Sequence, residues 1–192
     1  MTISTKLQNN LIFAYTPFNR DFIDEAKMIG GKFNSAEKAW TFDRRYENEL
    51  KNVLIKIFGA DGSSVNEVTV RVTVLNDISE YNAPIIIAGR EIAYASGRDS
   101  GAKPGAGIIF IEHKPQSGGS VKNWTTVLKA GTIFDIQDLP ETALQMLSEV
   151  DRISYEIQSE PEDADIINAK IEELIKQRDE ITSQIEKLRA RL

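Results

Sequence analysis

In the first sixty residues, the apolar positions begin with the spacing of a strand and continue with the spacing of a helix. The short apolar run at 11–15 predicts a strand, and the apolar positions at 22–29 have the three- and four-residue spacing of an amphipathic helix. Two short strands and a second helix, at 46–57, complete the pattern. The sequence therefore predicts a β-α-β-β-α head over residues 1–60, followed by a linker rich in glycine and serine.

Residues 66–139 alternate between apolar and polar positions with a period of two. The alternation is clearest at 68–74, where valine occupies every second position. Further short strand patterns follow, and glycine-containing turns separate them. Strands this short in close succession predict a central antiparallel β-barrel or sandwich.

Residues 140–192 predict helices. Apolar side chains recur at helical spacing from 144 to 157, and a second set from 167 to 192 follows a heptad register with Arg178 at one a position. The predicted fold class is α+β: the head (1–60), the glycine-rich antiparallel β domain (66–139) and a C-terminal helical pair with a coiled coil (140–192). The expected dimerisation residues are Ile167, Ile171, Leu174, Arg178, Ile181, Ile185, Leu188 and Leu192.

Two arrangements of this coiled coil are open: a homodimer joined by the last helix, and an antiparallel hairpin with the preceding helix. The preceding helix is shorter by about three turns, so a hairpin would leave apolar a and d positions without a partner. Because exposing such a stripe to water is costly, the pattern favours the homodimer.

Composition and charge narrow the function classes. The chain has no cysteine and one histidine, which excludes disulfide scaffolds, thiolate zinc sites and multi-histidine metal sites, so no cofactor is expected. The net charge of −6 resides in residues 141–192, whereas residues 1–60 carry +2. Neither a membrane-length apolar run nor a signal-peptide pattern occurs, which predicts a cytoplasmic protein without a membrane partner.

Catalytic chemistry has little support in the sequence. His113 is the one side chain that titrates near neutral pH in its ordinary state. No paired carboxylates and no nucleophile motif accompany it. We therefore expect a non-enzymatic protein with no catalytic and no metal-binding residues.

Three segments of the head lie in a recurring order: Ile12-Phe13-Ala14-Tyr15, Gly31-Lys32-Phe33-Asn34 and Lys38-Ala39-Trp40-Thr41-Phe42. With the two helices, this order resembles the HARP-type module of annealing helicases and its small relatives in phage and plasmid proteins, over about residues 8–60. The resemblance implies a DNA substrate. The nucleic-acid-binding residues it implies are Lys32, Lys38, Trp40, Arg44 and Arg45.

Two observations bear on this resemblance. The chain has no GxxxxGK[ST] phosphate loop, so no helicase motor accompanies the module. Trp40 alternates with Thr41 on a short strand, and two placements follow from that: a core residue, which the pattern favours, or an exposed ring that stacks on a base.

Seven of the twelve glycines lie between positions 89 and 119. Successive backbone N–H groups in such loops can form an anion-binding nest, while plain hairpin turns and a protein-contact surface are the alternatives. The candidate anion or partner loops contain Arg90, Arg98, Ser117, Gly118, Gly119, Ser120, Lys122 and Asn123.

These observations combine into one expected function and one alternative. The expected function is a non-enzymatic, homodimeric binding protein of a phage or mobile element, which binds DNA or a nucleic-acid-handling complex in the bacterial cytoplasm. The alternative is a phage-encoded inhibitor of a bacterial defence system, of the anti-CRISPR kind, that acts by protein contact or by sequestering a nucleotide.

Overall fold

The computed structural model describes residues 3–63, 66–158, 172, 174–178 and 181. The chain divides into two compact units, Met1–Gln158 and Ser159–Leu192. The helices of the first unit are α1 (Arg20–Met28), α2 (Glu47–Phe58) and α3 (Leu144–Ser148), with single 3₁₀ turns at Arg44–Tyr46 and Glu141–Ala143. Its strands are β1 (Ser4–Gln8), β2 (Leu11–Tyr15), β3 (Lys32–Asn34), β4 (Ala39–Asp43), β5 (Glu67–Val74), β6 (Ile78–Tyr81), β7 (Ile85–Ile87), β8 (Arg90–Ala95), β9 (Ala102–Pro104), β10 (Ile108–Glu112), β11 (Gln116–Gly119), β12 (Trp124–Leu128), β13 (Ile133–Pro140) and β14 (Ile153–Gln158).

The head, residues 3–60, is a four-stranded antiparallel sheet in the order β1-β2-β4-β3 with α1 and α2 on one face. The Asn19 side chain caps α1 by accepting a hydrogen bond from the Phe22 amide, 3.0 Å away. Gly59 ends α2 in the left-handed conformation. Phe22, Leu54 and Phe58 bring the two helices onto the sheet and form the centre of the head core.

The predicted head lacks β1, which the structure adds as an edge strand. Asn9 and Asn10 both have positive φ, 50° and 64°, and join β1 to β2 in a two-residue hairpin turn. Asparagine tolerates this conformation better than most residues. The edge position of β1 leaves most of its side chains in solvent, which explains why its apolar pattern is weak.

The centre, residues 66–158, contains three further antiparallel sheets. Their strand orders are β10-β13-β5-β14, β11-β12-β6 and β7-β8-β9. Val70, Val72 and Val74 on β5 are at most 1% exposed and lie in a second hydrophobic core shared by these sheets. None of the four sheets in the described residues closes on itself, so the predicted barrel is wrong.

The helix predicted over about residues 140–157 is also wrong. It is reduced to the 3₁₀ turn at Glu141–Ala143 and to α3, and the chain then forms β14. β14 pairs antiparallel with β5, and Ile153 is 8% exposed in the second core. A strand here covers backbone N–H and C=O groups of β5 that would otherwise form an open sheet edge.

The predicted α+β fold class with a helical pair and coiled coil is therefore replaced by a mostly β fold with few, short helices. In the second unit, residues 172, 174–178 and 181 are helical, and Leu174 and Ile181 are more than half exposed. Of the remaining expected dimerisation residues, Arg178 is among these helical residues, and Ile167, Ile171, Ile185, Leu188 and Leu192 lie outside the described residues. No helix in the described part of the chain has the length and apolar character needed to cross a bilayer.

Candidate nucleic-acid interface

One face of the head sheet is covered by the helices and the other carries aromatic and polar side chains. Ile12, Ala14 and Phe42 point toward the helices and are less than 5% exposed. Because side chains alternate along a strand, Phe13 and Tyr15 lie on the opposite face, which we call the outer face. Both are half-buried, and neither belongs to the two hydrophobic cores of the described residues.

The strand register aligns four side chains across the outer face. Lys6 pairs with Phe13, Phe13 with Thr41, and Thr41 with Lys32. We call these four residues the central row. Neighbouring strands are about 4.8 Å apart, which places the two lysine positions about 14 Å apart at opposite edges of the sheet. The row therefore presents an aromatic ring flanked by two exposed cations.

Tyr15 extends the aromatic surface beside the central row. It is two residues from Phe13 on β2, a separation of about 7 Å along the strand. The Lys6 Nζ lies 5.4 Å from the centroid of the Tyr15 ring, within the range of a cation–π contact. Phe13 and Tyr15 thus form a two-ring strip with a lysine held against it.

Arg44 and Arg45 lie at the end of the sheet next to the β1–β2 turn. The Arg44 amide donates to the Asn10 carbonyl, 3.2 Å away. The Arg45 Nε is 3.8 Å from Asp43 Oδ1, and its guanidinium lies 4.9 Å from the centroid of the Tyr46 ring. Both arginine side chains remain exposed, so they add positive charge to this end of the sheet.

The five predicted nucleic-acid-binding residues do not form one cluster. Lys32 lies on the outer face, but Trp40 points to the helix face because it pairs directly with Ala14, which lies on that face. Lys38, at φ 51°, occupies the turn before β4, whereas Arg44 and Arg45 follow the end of that strand. The five residues of β4 lie between Lys38 and Arg44, so these two positions are about 17 Å or more apart.

Trp40 contributes to the head core with part of its surface. Its ring stands edge-on to Phe22 with centroids 6.1 Å apart, and it lies 5.7 Å from the ring of Phe33. Trp40 is half-buried, while Phe33 is 56% exposed. Trp40 therefore lies at the margin of the head core, between the two predicted placements, with part of its surface still exposed.

Arg90 is a structural residue, not an anion-binding one. It is 1% exposed, and its guanidinium donates to the carbonyls of Ala106 (3.0 Å) and Asp138 (3.3 Å). Burial lowers the pKa of Arg90, and the nearby Asp138 and Glu67 partly offset this effect. Its donors tie β8 to two distant segments and are not available to a ligand.

The other glycine-rich loop residues are largely engaged with one another. Arg98 forms an ion pair with Asp99, 2.8 Å apart. The Ser117 Oγ donates to the Arg98 carbonyl and accepts from the Gly101 amide. Ser120 and Asn123 exchange hydrogen bonds across the β11–β12 turn. Gly118 and Gly119 belong to β11, and Lys122 lies exposed in the turn. This internal bonding uses the amides that an anion nest would need.

The sequence reasoning missed Lys6, Phe13 and Tyr15. Residues 11–15 are apolar throughout, so the pattern predicts a strand without showing that alternate residues face solvent. Lys6 could not be assigned to the sheet because β1 was not recognised. The Asn9-Asn10 pair is the sequence signal that indicates β1, since adjacent asparagines suit a two-residue hairpin turn.

Comparison with protein-family models, with curated proteins and with solved structures found no match to this chain.

Proposed function

We propose that the head binds single-stranded nucleic acid on the outer face of its sheet. The observation that carries this proposal is the central row, in which Lys6 and Lys32 flank Phe13, with Tyr15 beside it. Aromatic side chains on a sheet stack on unpaired bases whatever their sequence, and lysines neutralise the backbone phosphates. In a duplex the base faces are already stacked and do not reach such a surface.

The charge of the chain supports binding at this location. Residues 1–60 carry a net charge of +2 in a protein whose total is −6. An anionic strand is therefore attracted to the head and repelled by the acidic remainder. The resemblance to HARP-type modules suggests the same partner, and with it a role in the bacterial cytoplasm for a protein of a phage or mobile element.

The proposal is tested by fluorescence-anisotropy titration with labelled single-stranded DNA, single-stranded RNA and duplex DNA, each at about 50 and 200 mM salt. We expect single strands to bind more tightly than the duplex and the affinity to fall with salt. Phe13→Ala should weaken binding about tenfold, from the stacking of one base. Lys6→Gln and Lys32→Gln should each reduce the slope of log affinity against log salt by about 0.7.

Lys103→Gln is the matched control, because Lys103 is an exposed lysine on β9 in the centre. Far-ultraviolet circular dichroism verifies that each variant is folded. Unchanged affinity and salt slope in both central-row lysine variants would refute the site. Absence of binding by the folded native protein at low salt would refute the function and favour the inhibitor that acts by protein contact.

A further inference from the structure

A groove lies where the head meets the centre, away from the outer face. It has a volume of about 650 Å³, within the range of small-molecule sites. Phe18 and Arg20 line it from the head, and Glu91, Tyr94 and Trp124 line it from strands β8 and β12 of the centre. Phe18 is 55% exposed and Tyr94 37% exposed, so aromatic surface is available inside the groove.

A buried hydrogen bond links the two sides of the groove. The Asn19 Nδ2 donates to the Gly89 carbonyl, 2.9 Å away, and both residues are buried. Phe18 and Arg20 are the chain neighbours of Asn19, and Glu91 is two residues beyond Gly89. This contact fixes the head side of the groove against the centre side before any ligand arrives.

Glu91 is a half-buried carboxylate without a strong partner. Among the described residues, none donates a hydrogen bond to it and none forms a salt bridge with it, although Arg20 attracts it at longer range. Burial raises the pKa of Glu91, and the Arg20 charge only partly opposes this. A half-buried acceptor in a groove is stabilised by a ligand that supplies N–H donors.

We infer that this groove binds a single nucleotide. The aromatic side chains would stack on the base, Glu91 would accept hydrogen bonds from its amino or imino groups, and Arg20 would bind the phosphate. Each type of group that lines the groove has a counterpart in such a ligand. A purely cationic ligand would give Arg20 no counter-charge, and a purely apolar one would leave Glu91 without a donor.

Saturation-transfer NMR on the full-length native protein tests this inference, with the four common nucleoside monophosphates and their nucleosides as probes. We expect transfer to the base protons of at least one nucleotide. Phe18→Ala should weaken its binding about tenfold. Phe33→Ala is the matched control, because Phe33 has nearly the same exposure, 56% against 55%, and lies outside the groove.

Two further variants separate the roles of the charged groups. Arg20→Gln should reduce the affinity for the nucleotide to that for the nucleoside, and Glu91→Gln should alter the order of preference among the four bases. No transfer to any nucleotide would overturn the inference, as would equal losses in Phe18→Ala and Phe33→Ala.

A competition experiment distinguishes the source of the nucleotide. In one outcome, an oligonucleotide displaces the mononucleotide from both the native protein and the Phe13→Ala variant. This outcome would show that the groove binds one nucleotide of a strand independently of the outer face. An oligonucleotide that does not displace it would show that the groove takes the free mononucleotide. Because the groove shares no residue with the central row, the failure of one site leaves the other standing.

Discussion

Gly89 lies at the contact between the head and the centre. Its φ is +72°, and a Cβ at this position would lie 2.1 Å from the Ile57 carbonyl oxygen and 2.9 Å from the ring of Phe58. Its own carbonyl accepts the buried hydrogen bond from Asn19. Both the backbone conformation and the available space therefore require glycine at this contact.

Gly89→Ala should lower the free energy of unfolding far more than the matched change Gly101→Ala. Gly101 has a similar φ, +67°, but nothing lies within 4 Å of a Cβ placed there. The control carries only the backbone penalty of about 1 kcal/mol, and the clash at Gly89 should add about 2 kcal/mol or more. Urea denaturation measures both, and equal losses would contradict the close approach at Gly89.

Single residues differ in how well their roles could be predicted. The exposure of Lys32 follows from its charge, and the partial burial of Trp40 follows from its position on the same face of β4 as Phe42, with Thr41 between them on the other face. The burial of Arg90 does not follow from local pattern, because its carbonyl partners are 16 and 48 residues away in the chain. A buried cation of this kind is recognised only from the three-dimensional pairing.

At the scale of elements, β14 shows where periodicity misleads. Ile153 and Ile157 are four residues apart, a spacing that fits one face of a helix and also one face of a strand. The distinguishing residue is Tyr155, which in a strand shares the face of Ile153 and in a helix lies on the opposite side. The structure packs Tyr155 against the second core, and a partner strand 80 residues earlier decides the outcome.

Ile153→Ala should lower the free energy of unfolding by about 2–4 kcal/mol, because it removes a nearly fully buried side chain from the second core. Tyr155→Ala should also be destabilising. Ser154→Ala, at the exposed position between them, should stay within about 0.5 kcal/mol of the native protein. Thermal or urea unfolding compares the three, and a Tyr155→Ala variant as stable as Ser154→Ala would favour a helix instead.

For the whole molecule, the local patterns predicted many of the strands but not how they pair. β5 pairs with β13 and β14 at positions about 60 to 90 residues further along the chain, so the sheet that contains β5 follows from long-range contacts that no local pattern records. Strand pairing also positions the two proposed binding sites. The register of four head strands brings Lys6 and Lys32 into line with Phe13, and the junction of head and centre forms a separate groove lined by aromatic residues.

Binding of a single strand to the outer face of the head is tested most directly by mapping the bound strand onto the protein by NMR. Amide and aromatic signals of the isotope-labelled full chain are recorded while a short unlabelled oligonucleotide is added at low salt. If the strand binds on the outer face of the head, the largest shifts fall on β1, β2, β3 and β4, with the ring signals of Phe13 and Tyr15 among them. Shifts confined to the centre, or no shifts at all from a folded protein, would contradict it.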